Sequence, residues 1–182
     1  MNKTIAYLLL LSVALVPVHA QDQETLAHGL PWVFYNSTDF TRPDSDNGVD
    51  ANINLDTGTT FNDYAEFWAG YLKAPAAGEI TIEAEVDNGL RLTLNKKLVI
   101  DGWDADGART ATVKVTEGEY LPLQLEYFQD GGEAFLRLYW KRDGRERELI
   151  PASAFFHDQN DKDLIDRLKR GDVRVAEVRT AN

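Results

Sequence analysis

The run Gly78-Glu79-Ile80-Thr81-Ile82-Glu83-Ala84-Glu85-Val86-Asp87-Asn88-Gly89-Leu90-Arg91-Leu92-Thr93-Leu94 decides the fold. Ile80, Ile82, Ala84 and Val86 alternate with Thr81, Glu83 and Glu85. That is the period of two expected of a strand with one dry face and one wet face. Leu90, Leu92 and Leu94 repeat it against Arg91 and Thr93, after a break at Asp-Asn-Gly.

Outward from this run the same texture continues. Leu121, Leu123, Leu125 and Tyr127 form one apolar set, Ala134, Leu136, Leu138 and Trp140 another, with Asp130-Gly131-Gly132 as the turn between them. Tyr64 to Ala74, Lys97 to Asp101 and Thr110 to Val115 supply further strands. No stretch from Gln21 to His157 carries a helical apolar stripe. Short strands parted by Gly, Asp and Asn predict an all-β fold, an antiparallel β-sandwich or jelly-roll-like module. Asp39 to Asp63 reads differently: with six aspartates and one arginine it suggests a long surface excursion.

Three segments follow from composition. Residues 1–20 carry Lys3, an apolar run from Ile5 to Val16, Pro17 and the small-x-small triplet Val18-His19-Ala20, the pattern of a secretory signal peptide cleaved before Gln21. The run is too short for the ~20 apolar residues that span a bilayer. Residues 21–157 form the sandwich. Residues 158–182 form a polar tail without aromatics, its six acids balanced by six bases. In the tail Asp161 is placed to cap a short helix bearing Leu164, Ile165 and Leu168, with Gly171 to stop it. A helix this short is marginal alone, so it either docks on the sandwich or frays; Val173, Val175 and Val178 suggest a brief strand, and the whole tail is expected to be dispensable for folding.

The 182 residues carry a formal charge of −11, or −12 once Lys3 leaves with the leader. A nucleic-acid partner is excluded by that sign, since phosphate binding needs a positive face. With no cysteine, thiolate metal sites, disulfides and cysteine nucleophiles are excluded too. His28 and His157 stand at the two ends of the module, without the spacing of a metal pair. There is no Gly-x-Ser-x-Gly elbow and no phosphate loop, so the chain reads as a non-enzyme with no catalytic residues. Asp44-x-Asp46-Asn47-Gly48-x-Asp50 resembles a calcium loop but fails its template. The required Gly falls on Val49 and the bidentate Glu on Leu55.

Six ordered blocks carry a family resemblance. They are Gly29-Leu30 with Phe34-Tyr35; Phe67-Trp68-Ala69-Gly70-Tyr71-Leu72-Lys73-Ala74-Pro75; Gly78 to Ile82; Val86-Asp87-Asn88-Gly89-Leu90-Arg91-Leu92; Asp101-Gly102-Trp103; and Leu125-Glu126-Tyr127-Phe128. In order and spacing, over residues 29 to 155, they resemble the PA-fourteen domain, the anthrax protective-antigen module. The resemblance implies a β-sandwich of secreted adhesins, toxins and glycosidases, usually credited with carbohydrate binding. In lectin-like members, two adjacent aspartates, often joined by a cis peptide, hold calcium with an asparagine from a second loop, and the calcium holds sugar hydroxyls.

Carried over by position, the aspartate pair falls on Asp87 and Asn88, and the second loop on Gln129 to Glu133, with Gln129 and Asp130 as the facing metal ligands. Asn88 replaces a carboxylate with an amide, and Gln129 stands where the lectins have asparagine. Asp-Asn-Gly is also an ordinary tight-turn sequence between strands, so both readings stay open. Trp103 is a candidate sugar contact, because an indole face stacks on pyranose C–H groups. The family keeps this tryptophan whether or not a member binds sugar, which favours packing. The expectation is a secreted, extracellular or periplasmic carbohydrate-binding module, with calcium as its cofactor and a glycan or envelope component as its partner. The alternative is a cell-surface or envelope protein–protein interaction or adhesion module using the same sandwich without sugar or calcium. A hydrolase accessory domain is a third class that the residues neither support nor refute.

Overall fold

The computed structural model describes residues 25–56, 62–103 and 109–171. The signal peptide expected at residues 1–20 and the strand expected at Val173 to Val178 lie outside them.

Among the described residues thirteen strands make two antiparallel sheets. They are β1 (Leu26–His28), β2 (Leu30–Tyr35), β3 (Pro43–Asp50), β4 (Asn54–Asp56), β5 (Tyr64–Lys73), β6 (Gly78–Asp87), β7 (Gly89–Leu94), β8 (Lys97–Gly102), β9 (Arg109–Val115), β10 (Tyr120–Gln129), β11 (Phe135–Arg142), β12 (Glu148–Leu149) and β13 (Phe155–Asp158). The larger sheet runs β1-β13-β5-β10-β7-β8, with β2 bridging β5 and β3. The smaller runs β12-β11-β6-β9, with β4 on β11. The all-β sandwich expected from alternation is therefore the fold.

The dry faces meet as the pattern requires. Ile80, Ile82, Ala84 and Val86 of β6 and Leu136, Leu138 and Trp140 of β11 bury against Leu90, Leu92 and Leu94 of β7 and Leu121, Leu123, Leu125 and Tyr127 of β10. Trp68 sits fully buried among them. Apolar burial of this extent is the main favourable term for a domain without disulfides. The β7–β8 hairpin closes through Asn95 and Lys96, both at positive φ (49° and 63°), the two-residue geometry whose twist matches the strands.

Two expectations are corrected. Asp39 to Asp63 is not a plain surface excursion: β3 pairs with β2 and β4 pairs with β11, while Phe40 and Ile53 are buried. β3 lacks alternation because it is an edge strand, mostly exposed on both faces and held by its backbone ladder. Asp44 to Asp50 is thus extended strand and no cation loop. Asp50 turns to accept the Trp68 indole N–H at 2.9 Å.

The tail is the second. The division near residue 157 falls inside β13, which pairs with both β1 and β5. Helix α1 (Leu164–Arg170) then docks on the outer face of the larger sheet, where Leu164 and Leu168 join Val33, Tyr35, Phe40, Ala65, Phe67 and Ala69 in a second apolar cluster. Seven residues are too few for a helix to persist alone; packing makes this one. Gly171 ends it at φ 74°, as its sequence position predicts. Asp161 does not cap the helix: Asp163 is the N-cap residue and makes no side-chain bond, while Asp161 accepts two bonds from the Arg167 guanidinium, at 2.7 and 2.5 Å.

Candidate functional site

The Asp87-Asn88-Gly89 break is no hairpin. β6 lies in the smaller sheet and β7 in the larger, so the chain crosses the sandwich within this turn. The second loop does likewise, leaving β10 of the larger sheet at Gln129 and entering β11 of the smaller at Phe135. Register holds the two crossovers together at one end of the sandwich: Gly89 pairs with Phe128 on one sheet and Asp87 with Phe135 on the other.

Polar contacts lock them. The Asp87–Asn88 peptide is cis. Asn88 Oδ1 accepts the Asp130 backbone N–H at 2.6 Å, and the Asn88 N–H reaches Phe128 O at 3.3 Å. Tyr127 Oη donates to Asp87 O at 2.8 Å from beneath. Burial first, then the nearby Tyr64, raises the Tyr127 hydroxyl's pKa, so it stays a protonated donor. Gln129 is fully buried; its Nε2 donates to Glu133 O at 3.0 Å and its Oε1 lies 3.5 Å from Tyr127 Oη. The side chain therefore frames the turn from inside. Gly89 is required by close approach, since a Cβ there would stand 2.2 Å from the Phe128 ring and 2.6 Å from Trp103 O.

Of the residues singled out in the sequence, Asp87, Asn88, Gln129 and Asp130 come together across the two crossovers. The donor set is all oxygen, carboxylate and amide, which suits calcium better than a soft metal. Among the described residues no three His, Cys, Asp or Glu side chains gather to hold a metal. The residues of the two turns that could hold a cation are Asp87 and Asp130 through their carboxylates and Asn88 through its amide oxygen, with turn carbonyls beside them. Trp103 lies behind Gly89, on the outer side of the larger sheet. Its ring packs against Phe128 (centroids 4.5 Å) and Phe40 (5.5 Å), with the Arg91 guanidinium over it at 4.5 Å.

Sequence reading missed two neighbours. Asn62 stands just before β5, its Oδ1 3.8 Å from where a Gly131 Cβ would be. Phe135 sits half-buried beside Asp87. Neither residue type carries a signal until register brings it to the loops. His28 and His157, distant in sequence, come one register step apart on the β1–β13 ladder, on opposite faces: His157, opposite Ala27, has Nδ1 2.9 Å from Gly29 O, and the His28 ring packs on Phe156.

The PA14 domain model matches this sandwich, with its paired inter-sheet loops at one end, over residues 26–154. The chain belongs to the PA14 domain family. It is similar to the anti-sigma-I factor RsgI3 of Acetivibrio thermocellus, 26% identical over 94 residues, which are 50% of this chain and 15% of that protein. A solved anti-sigma factor domain-containing protein from Clostridium clariflavum superposes with a TM-score of 0.66 at 25% identity, over 71% of this chain and 47% of that one. The Epithelial Adhesin 9 A domain from Candida glabrata, solved in complex with Galb1-4GlcNAc, superposes with a TM-score of 0.65 at 12% identity, over 77% and 94%. The chain thus spans less than half the length of its anti-sigma relatives. No helix among the described residues is long and apolar enough to cross a membrane.

Proposed function

We propose that this chain is a secreted, non-enzymatic carbohydrate-binding module whose site is the pair of crossovers at Asp87-Asn88 and Gln129 to Glu133, with calcium as the bridge to sugar hydroxyls. The carrying observation is the clamp between the loops, Asn88 Oδ1 to the Asp130 N–H, which sets two carboxylate-bearing turns side by side at one end of a PA14 sandwich. Bound there, calcium would supply vacant positions for two hydroxyl oxygens of a sugar. The chain's own residues do the rest. Asp87 and Asp130 supply charge, while Tyr127 and Gln129 fix the backbone of each turn from beneath. The adhesin neighbour, solved with a disaccharide, supports a sugar as the ligand class.

A glycan array probed with the full chain in calcium, and again in chelator, tests this. Binding to a restricted set of glycans that chelator abolishes is the expected result; silence in both conditions rejects it. A protein-interaction module of the cell envelope is the second reading, favoured by similarity to anti-sigma factors and by the amide at position 88 where the lectins carry a second carboxylate. An array silent throughout would promote it.

A further inference from the structure

Phe135 occupies a position that packing alone does not explain. On β11 the buried residues are Leu136, Leu138 and Trp140, so Phe135 belongs to the opposite, wet face with Arg137 and Tyr139. On that face it is flanked in register by Asp87 of β6 on one side and Asp56 of β4 on the other. Side chains directly opposite across a ladder have Cβ atoms ~5 Å apart. A half-exposed aromatic ring therefore stands beside the carboxylate assigned to the cation.

Among the described residues, one neighbour covers the ring along the strand. The Arg137 guanidinium lies 5.1 Å over the ring from two residues further along the strand, and Asp56 holds Arg137 in turn by a salt bridge. Arg137 covers the ring from the strand side, so the remaining side is toward the loop. There the chain carries Gly131 and Gly132. Among the described residues, a Cβ on Gly132 would meet only Asp87 Oδ2, at 4.0 Å, and one on Gly131 only Asn62 side-chain atoms, at 3.8 and 3.9 Å.

We infer that Phe135 is the stacking platform of the site. A pyranose held through its hydroxyls at the crossovers lays its apolar C–H face on the Phe135 ring, and Asp56, through Arg137, fixes the ring's angle. This rests on the sugar-binding reading above. It selects pyranosides that offer a C–H face beside their cation-bound hydroxyls, and it assigns to Phe135 the role that Trp103, held by Phe40, Phe128 and Arg91, is not placed to fill.

The test compares wild type, Phe135→Leu and Phe135→Trp on the same calcium-loaded glycan array, with the calcium-induced shift of the melting midpoint as a second readout. Leucine keeps apolar bulk without the flat π-face, so the variant should fold and keep its calcium shift while losing about tenfold or more in glycan affinity. Tryptophan should retain binding. A Phe135→Leu protein that binds glycans as wild type does overturns the platform and leaves the calcium and sugar reading standing. A wild type that takes up calcium yet binds no glycan overturns the sugar reading and the platform together.

Discussion

Glu66 stands on β5 between Tyr64 and Trp68, on the core-facing side, opposite Phe34 of β2 and Tyr127 of β10. Burial first, then the charge of Asp50, pushes its carboxyl up to about 7. Asp50 is itself raised by burial, although the Trp68 and Trp32 indole donors oppose the shift. An acid whose folded pKa lies above its unfolded value stabilises the fold fully below the unfolded value, near 4.5, and loses that contribution as pH rises through the folded value. Urea midpoints should therefore fall as pH rises from about 5 to 8, and Glu66→Gln should flatten most of that slope, leaving the part due to Asp50. An equal slope in the variant would remove Glu66 as the cause. None of this was legible in the sequence, where Glu66 is one polar residue in an aromatic run. Its neighbour Asp50 sits in a polar stretch that gives no sign of facing two indoles.

At the scale of elements, legibility followed the source of each element's stability. β6, β7, β10 and β11 bury one face, so alternation marked them within a residue or two. β3 and β4 are held by ladder bonds to β2 and β11 with little burial, and ladder bonds leave no trace in side-chain pattern. The candidate loops were found by type and position, yet their nature as crossovers was hidden, because a turn sequence does not say which sheet the next strand joins. Helix α1 was visible in outline while its docking was not: Leu164 and Leu168 show that one face is apolar, but not that the outer face of β2 and β5 is apolar too. Leu168 is fully buried, and its carbonyl accepts the Tyr35 hydroxyl. Leu168→Ala should cost about 2–5 kcal/mol of unfolding free energy, the usual range for a buried leucine. A variant whose urea midpoint matches wild type would show that α1 frays without consequence and restore the dispensable tail.

The whole molecule adds a field to the local site. All of the excess negative charge expected of the secreted form, −12, lies in residues 21–157, because the tail is neutral. A charge of that size raises the local concentration of any cation and strains the compact state by self-repulsion. Two effects of calcium must then be separated. Screening acts on the entire surface and is shared by magnesium and by sodium chloride, which at 0.15 M cuts the range of exposed charges to ~8 Å. Binding at the proposed site would act at Asp87. If calcium binds only the folded chain, a hundredfold excess over its dissociation constant stabilises it by ~2.7 kcal/mol. Wild type should therefore gain a calcium-specific rise in melting midpoint beyond that in matched magnesium. Asp87→Ala should lose that extra rise and keep the screening part. Asp44→Ala, on edge strand β3 with its carboxylate bonded to Asn36 and Ser45, should keep both. Equal responses to calcium and magnesium in wild type would reduce the crossovers to a structural clamp between sheets and assign calcium's effect to screening of the acidic surface.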